Sequence, residues 1–331
     1  MVASGEEKAL SDDGYSMWAR ALGWSTIGLL IAFLINNILV VGFGFKEVET
    51  IATSVNAQNF SQLVIYLIFL FGGVYYASQN KQNGFRIEAN KLHSFNVYLV
   101  RACFFSVFLI GLADFALAFC RAIGLLEIFM EDAWVKALGR GNFVGPWIHV
   151  PIIVASFVIA FFARTLGFTW LAVLIVFAEL FIVISRYIFS YEQSFMADLV
   201  RYWYAALFLF ASAYTLFEEG HVRVDVIYAG LSDRAKALVN AWGSYLLGVI
   251  TATTIVIIGF NGKTSVINSP ILVFEITNQG IMGMFIKYQM ALFLGIFGVT
   301  MLIQFVSQFF ESLADLKGEP GKRDNTIELA H

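Results

Sequence analysis

GFTWLAVLIVFAELFIVISRYIFS, residues 167–190, is the stretch whose reading decides the fold. Between Gly167 and Arg186 it holds a single ionisable side chain, Glu179. A bilayer core about 30 Å thick is crossed by roughly 20 apolar residues in helical form. Backbone groups in lipid must also be bonded within their own segment. The run is therefore predicted to be a membrane-spanning helix, not a strand. Comparable runs lie near 21–43, 60–78, 95–120, 147–164, 195–217, 242–262 and 283–310. The composition agrees: 331 residues, 59% hydrophobic and only 14% charged, with 34 Phe and four Pro. These observations predict an all-α polytopic membrane protein with about eight transmembrane helices, four in 1–164 and four in 165–331.

Lys and Arg orient it. With the N-terminus inside, Lys8, Arg20, Lys81, Arg86, Lys91, Arg164, Arg223, Arg234, Lys236, Lys317, Lys322 and Arg323 fall on inner segments. Lys46, Arg121, Lys136, Arg140, Arg186, Arg201, Lys263 and Lys287 fall outside. The excess predicts both termini in the cytoplasm. The acidic start MVASGEEKALSDDGYS lacks the basic and apolar regions of a signal peptide, so no cleavage is expected. A net charge of −3 without a long basic run gives no reason to expect nucleic acid. Two connectors carry interfacial patterns. In 125–139, Leu125, Phe129, Trp134 and Leu138 share an apolar side, while Glu127, Glu131 and Asp132 face water. In 231–243, Ser232 is a candidate N-cap, with Leu238, Val239 and Trp242 on the buried side. Helices of this kind lie in the interface plane.

The sequence offers little chemistry for an enzyme. GFNGKTS (259–265) contains Gly-Lys-Thr, but Ile257 stands where a phosphate-binding loop needs its first glycine. His93 and His149 are expected at opposite membrane faces, and His221 and His331 in the cytoplasm, so none pair as haem ligands. Cys103 and Cys120 are about 25 Å apart on one helix, beyond disulfide reach, and read as buried thiols. Charges inside apolar runs are costly and point to function. These are Glu179, Arg101 and Asp114; the last two are about 20 Å apart along one helix and cannot pair. Glu179 reads most simply as an interhelical or intersubunit hydrogen bond. Pro151 is placed in the first turn of its span, and is the only proline expected within any span.

The run EEGHVRVDVIYAG, 218–230, leaves the sixth span. His221, Arg223 and Asp225 alternate with Val222, Val224 and Val226, the period of an extended segment, and Gly220 suits a helix C-cap. Arg223 could hold a lipid phosphate or a carboxylate. Together, AYTLFEEGHVRVDVIYAGLSDRAKALVNAWG and the upstream ISRYIF (184–189) resemble the signature of TRAP transporter small permease subunits, the DctQ-like family. Over roughly 165–315 the order and spacing of four helices are similar too. Phe195 and Asp198 stand where the family often has tryptophan–x–x–glutamate. At the start of a helix, Asp198 is favoured by the dipole and is expected to meet Arg186 across the hairpin. Residues 1–164 are an extension, similar in plan to enlarged small subunits in a branch associated with mannitol and chloroaromatic compounds.

The resemblance implies a non-enzymatic scaffold subunit in a bacterial inner membrane. Its implied partners are a large DctM-like permease that works as an elevator, a periplasmic solute-binding protein and membrane lipids. The permease would carry the organic acid and the sodium, so no cofactor is expected here. Glu179, Arg186, Asp198, His221, Arg223 and Asp225 are then structural or interface residues. The alternative is an autonomous eight-helix carrier or channel with its own substrate site, for which Glu179, Asn36 and Asn37 are the best support. The orientation is directly testable. In a background lacking Cys103 and Cys120, a cysteine at Ser4 or Asn325 should resist a membrane-impermeant maleimide applied from the periplasmic side. Efficient labelling of either would reverse the topology.

Overall fold

The computed structural model describes residues 14–322, apart from 53, 192, 219–225 and 278–279. Among the described residues, helix is the only regular structure. Helices α1 (Gly14–Phe43), α2 (Ala57–Gln79) and α3 (Phe85–Ala122) are followed by short α4 (Leu125–Phe129) and α5 (Asp132–Leu138). Next come α6 (Gly141–Phe162), α7 (Phe168–Ile188), α8 (Ser194–Phe217) and the single turn α9 (Val226–Ala229). The chain closes with α10 (Asp233–Gly259), short α11 (Asn268–Leu272) and α12 (Lys287–Lys317). Seven of these are long and apolar enough to cross a membrane; α8 is the exception. Its 24 residues are also long enough, but Asp198, Arg201 and several Tyr dilute its apolar character. Its position still marks it as a crossing. Asp198 meets the loop before α12 at one end, and Phe217 stacks on His93 of α3 at the other.

Three expectations about local structure are corrected. The segment 231–243 does not lie as a separate helix in the interface plane. Ser232 does cap it, accepting the Ala235 N–H at 3.4 Å. The backbone then stays right-handed helical through Gly243 and a wide π-type stretch, Gly243–Val249, into the span. The contact with α12 is made by the small residues Ala237 and Ala241, which are buried, whereas Leu238, Val239 and Trp242, the side expected to be buried, are exposed. The segment 125–139 is two helices rather than one, because Met130 is extended (φ −128°, ψ 152°). Finally, the fourth span starts at Gly141, so Pro151 sits mid-helix, not in its first turn. A second proline, Pro146, also lies within this span. Gly145–His149, which includes Pro146, is π-helical, with the Val150 N–H bonded to the Gly145 carbonyl. Such a wide turn changes which carbonyls need donors, which is how a span accommodates proline.

The bundle is organised around α12, which packs on α1, α3, α8 and α10. One core gathers Phe104 and Ile110 of α3, Leu171 and Ile175 of α7, Phe195, Tyr202 and Phe210 of α8, and Phe293 of α12. A second gathers Leu30 of α1, Phe85 and Leu92 of α3, Val256 of α10, and Leu302, Val306 and Phe310 of α12. Both cores draw on helices from before and after residue 165. Cys103 and Cys120 are free and half-buried. Contacts of α2 are mainly with α1, and backbones there come close. A Cβ on Gly73 would lie 2.7 Å from the Ser25 nitrogen, and one on Gly28 would lie 2.3 Å from the Phe69 carbonyl oxygen. Small residues allow this approach where lipid supplies no hydrophobic drive for association. Gly73→Val should therefore separate α2 from α1. A cysteine pair across that contact should cross-link in the parent and lose most of its yield in the variant.

Candidate functional site

Polar side chains gather at the two ends of the bundle and, between them, along the contact of α3 with α12, where Asn96 donates to Gln304 and to the Thr300 carbonyl. At one end the chain dips back between α10 and α12, burying Met284, Phe285 and Ile286 completely. Backbone N–H groups ahead of a helix lack partners within it. Two carboxylates from other helices supply them. Asp198 Oδ2, on α8, accepts the Met284 N–H at 3.2 Å and the Thr277 hydroxyl at 2.9 Å. Asp114 Oδ2, on α3, accepts the Phe285 N–H. Asp198 thus serves the approach to α12, and its cation is Arg201 at 3.9 Å, not Arg186 as the hairpin suggested. Arg121 completes the shell. Its guanidinium donates to the carbonyls of Leu138 (3.0 Å) and Gly283 (2.9 Å) and lies 4.2 Å from the Phe285 ring centroid.

Behind Asp114 lies a histidine that the sequence marked only as an unsuitable haem ligand. His149 is fully buried at the end of the π-type stretch of α6. Its Nδ1 is 2.9 Å from Tyr288 Oη and 3.0 Å from Gln289 Nε2. An amide nitrogen can only donate, so Nδ1 accepts and the ring proton rests on Nε2, which faces Asp114 Oδ1 at 3.6 Å. Tyr202 closes the chain by donating to Gln289 Oε1. Helices α3, α6, α8 and α12 all contribute. A 290 Å³ cavity beside it is lined by Cys103, Ser106, Ile110, Phe210 and Phe293, with Tyr202 and Gln289 at its polar edge.

At the other end Glu319 reaches back to the start of α3. Its two oxygens accept the N–H groups of Phe85 (2.9 Å) and Arg86 (3.0 Å), placing an anion at a helix N-terminus. Arg86 in turn holds Glu311 and Asp315, the latter at 2.8 Å, and donates to the Glu319 carbonyl at 3.1 Å. Beside it Arg20 pairs with Glu88 at 3.3 Å, donates to the carbonyls of Lys81 and Asn83, and covers the Phe85 ring. Lys317 donates to Ser16 at 2.7 Å, so the first and last helices meet at one end of the bundle.

The remaining candidates divide. Asn36 donates to the Gln62 carbonyl, and Asn37 exchanges two hydrogen bonds with Asn268. These side chains tie α1 to α2 and α11, and so are already engaged in holding helices together. Arg101 donates to the Ala160 carbonyl, far from Asp114. His93 bonds Gln304, fifteen residues along α12 from Gln289 and about 23 Å from it by helical rise, so the two histidines do sit at different depths. Glu179 and Arg186 point outward from α7. His221, Arg223 and Asp225 lie outside the described residues. Among the described residues no three His, Cys, Asp or Glu side chains converge as metal ligands.

What sequence reasoning missed is mostly long-range. Gln289, Gln304 and Ser307 are ordinary polar residues in an apolar helix, and only their helical spacing hinted at a shared seam. Glu319 lies beyond every predicted span and carried no signal. Asp114 was marked, but its partners are a backbone N–H and a histidine from distant elements.

With this geometry in place, the chain can be compared with known protein families. The family model described as "Tripartite ATP-independent periplasmic transporters, DctQ component" matches residues 172–315. That range runs from the first turns of α7 nearly to the end of α12. No curated protein and no solved structure matches the chain. The buried carboxylate yields a stability prediction. Asp114→Leu removes the acceptor of the Phe285 N–H and should cost about 1–3 kcal/mol. Asp114→Asn keeps an acceptor and should recover a good part of it. Thermal unfolding in detergent, read for both variants, checks the order; equal losses would mean that the bond to Phe285 is not what matters.

Proposed function

We propose, on the match of residues 172–315 to the DctQ component model, that the chain is the small membrane subunit of a tripartite ATP-independent periplasmic (TRAP) transporter. On this reading it stands in a bacterial inner membrane with both termini in the cytoplasm. It flanks a large DctM-like permease, anchoring the part of that subunit that stays still while the rest moves. A periplasmic solute-binding protein delivers an organic acid or related solute, and the large subunit carries it with sodium.

The family match carries the proposal, and the use of the polar side chains supports it. A carrier keeps polar groups converging on a mid-membrane site, commonly at broken helices. Here Asp114, Asp198, His149, Gln289, Arg86 and Glu319 at the ends of the bundle, and Asn96 and Gln304 between them, are engaged in binding one helix to another. Both π-type stretches continue their helices without a break. Such a design supplies rigidity and lateral surface, which a stationary support requires.

The proposal is tested in two arms. A tagged chain expressed from its native operon should bring down a multi-helix membrane protein larger than itself. Purified alone and placed in vesicles, it should give no sodium-dependent uptake of an organic anion. Uptake by the chain alone would overturn the scaffold assignment in favour of the autonomous carrier.

A further inference from the structure

The geometry points to α7 as the helix that receives the large permease, with Glu179 as its central contact; this inference rests on the small-subunit reading above. Along α7, Leu171, Ile175, Ala178 and Ser185 form the buried seam against the rest of the bundle. One step around the helix runs a second stripe, Val176, Glu179 and Val183, and all three are exposed. Among the described residues, Glu179 is the only Asp, Glu, Lys, Arg or His side chain that is both exposed and placed in the middle of a membrane-crossing helix. Arg101 reaches a carbonyl, Asp114 is buried, and the remaining charges sit near helix ends.

A carboxylate facing hydrocarbon is costly and must find a donor or a water-filled cavity. Lipid tails offer neither. Helix α2 provides an internal contrast. It is equally peripheral, with Leu67, Ile68 and Phe71 exposed, yet the span contains no Asp, Glu, Lys, Arg or His. That face suits lipid, whereas the α7 stripe suits a protein. The four N-terminal spans add to this argument. They pack among themselves and against α8 and α12, with Thr26 of α1 in a hydrogen bond with Tyr245 of α10, and leave α7 held chiefly by α8. The region matched by the family model begins within α7 itself. The occupant is therefore a helix of the large permease that presents a hydrogen-bond donor, from Lys, Arg, Ser, Thr, Tyr or Trp, at mid-membrane depth. The valines one turn above and below Glu179 are compact enough to let it approach.

Photo-cross-linking in the intact complex tests this. A benzophenone amino acid is placed at Val176 or Val183 on α7, and at Leu67 or Phe71 on α2 as the comparison. Adducts with the large subunit are expected from the α7 positions and not from α2. In parallel, Glu179→Leu should reduce recovered permease about tenfold or more, as expected for loss of a hydrogen bond to a charged group. Glu179→Gln, which still bonds, should stay within about threefold of the parent. Recovery of permease with adducts from α2 alone, or with none from α7, would overturn this inference and leave the small-subunit assignment standing. Adducts joining two copies of this chain through α7 would overturn it in favour of self-association. Undiminished recovery with Glu179→Leu would remove Glu179 from the contact. Failure of the parent to recover any permease would overturn the assignment and this inference together.

Discussion

Where no water is present, a polar side chain on one helix needs its partner on another, and α3 and α12 are tied in this way along nearly their whole length. Arg86 grips Glu311 and Asp315; Ser307 donates to the Ala89 carbonyl; His93 and Asn96 share Gln304; Asn96 also reaches the Thr300 carbonyl. Further along, Asp114 takes the backbone N–H of Phe285 just ahead of α12. This seam fixes the depth and rotation of the central helix. Every other packing contact of α12, with α1, α8 and α10, is set relative to it.

The seam joins the segment before residue 165 to the region matched by the family model, so the added helices are not an appendage on a linker. They widen the same bundle. Their own outermost member, α2, is sealed to α1 by close backbone contact at Gly28 and Gly73, a device that works through shape and needs no buried charge. A bundle built in this manner resists sliding of its helices, because a shift along α3 would break a series of hydrogen bonds at once. The outer surface, by contrast, is nearly free of such constraints except at Glu179.

Much of this architecture was legible in the sequence because the bilayer imposes a coarse and strong rule. Apolar runs placed all eight long helices within a turn or a few of their observed positions, and the largest errors arose at their ends. The start of α3 lay ten residues earlier than the apolar run suggested, since Arg86 was assigned to an inner connecting segment. Its charge is in fact met by Glu311 and Asp315, and that of nearby Glu88 by Arg20. Likewise Gly243 read as the end of an interfacial helix, although glycine with ordinary helical angles breaks nothing. Candidate site residues were harder. Arg186 and Asp198 were paired on hairpin proximity, yet Asp198 turns inward to a loop that comes eighty residues later. Local pattern shows that a buried charge needs a partner; it does not show which distant segment supplies it.

The same seam has a consequence for how the chain is made. Membrane helices are released from the ribosome in order, and α12 follows α3 by about two hundred residues. Until it arrives, α3 must wait in or beside the bilayer with Arg86, His93, Asn96 and Asp114 lacking the groups that will satisfy them. Long-range closure of this kind is slow, because distant segments must be brought together before any contact rewards them. Assembly of this bundle therefore includes one late step, the docking of α12. Before that step the partly made protein offers quality-control proteases and insertase chaperones an unsatisfied polar helix to hold.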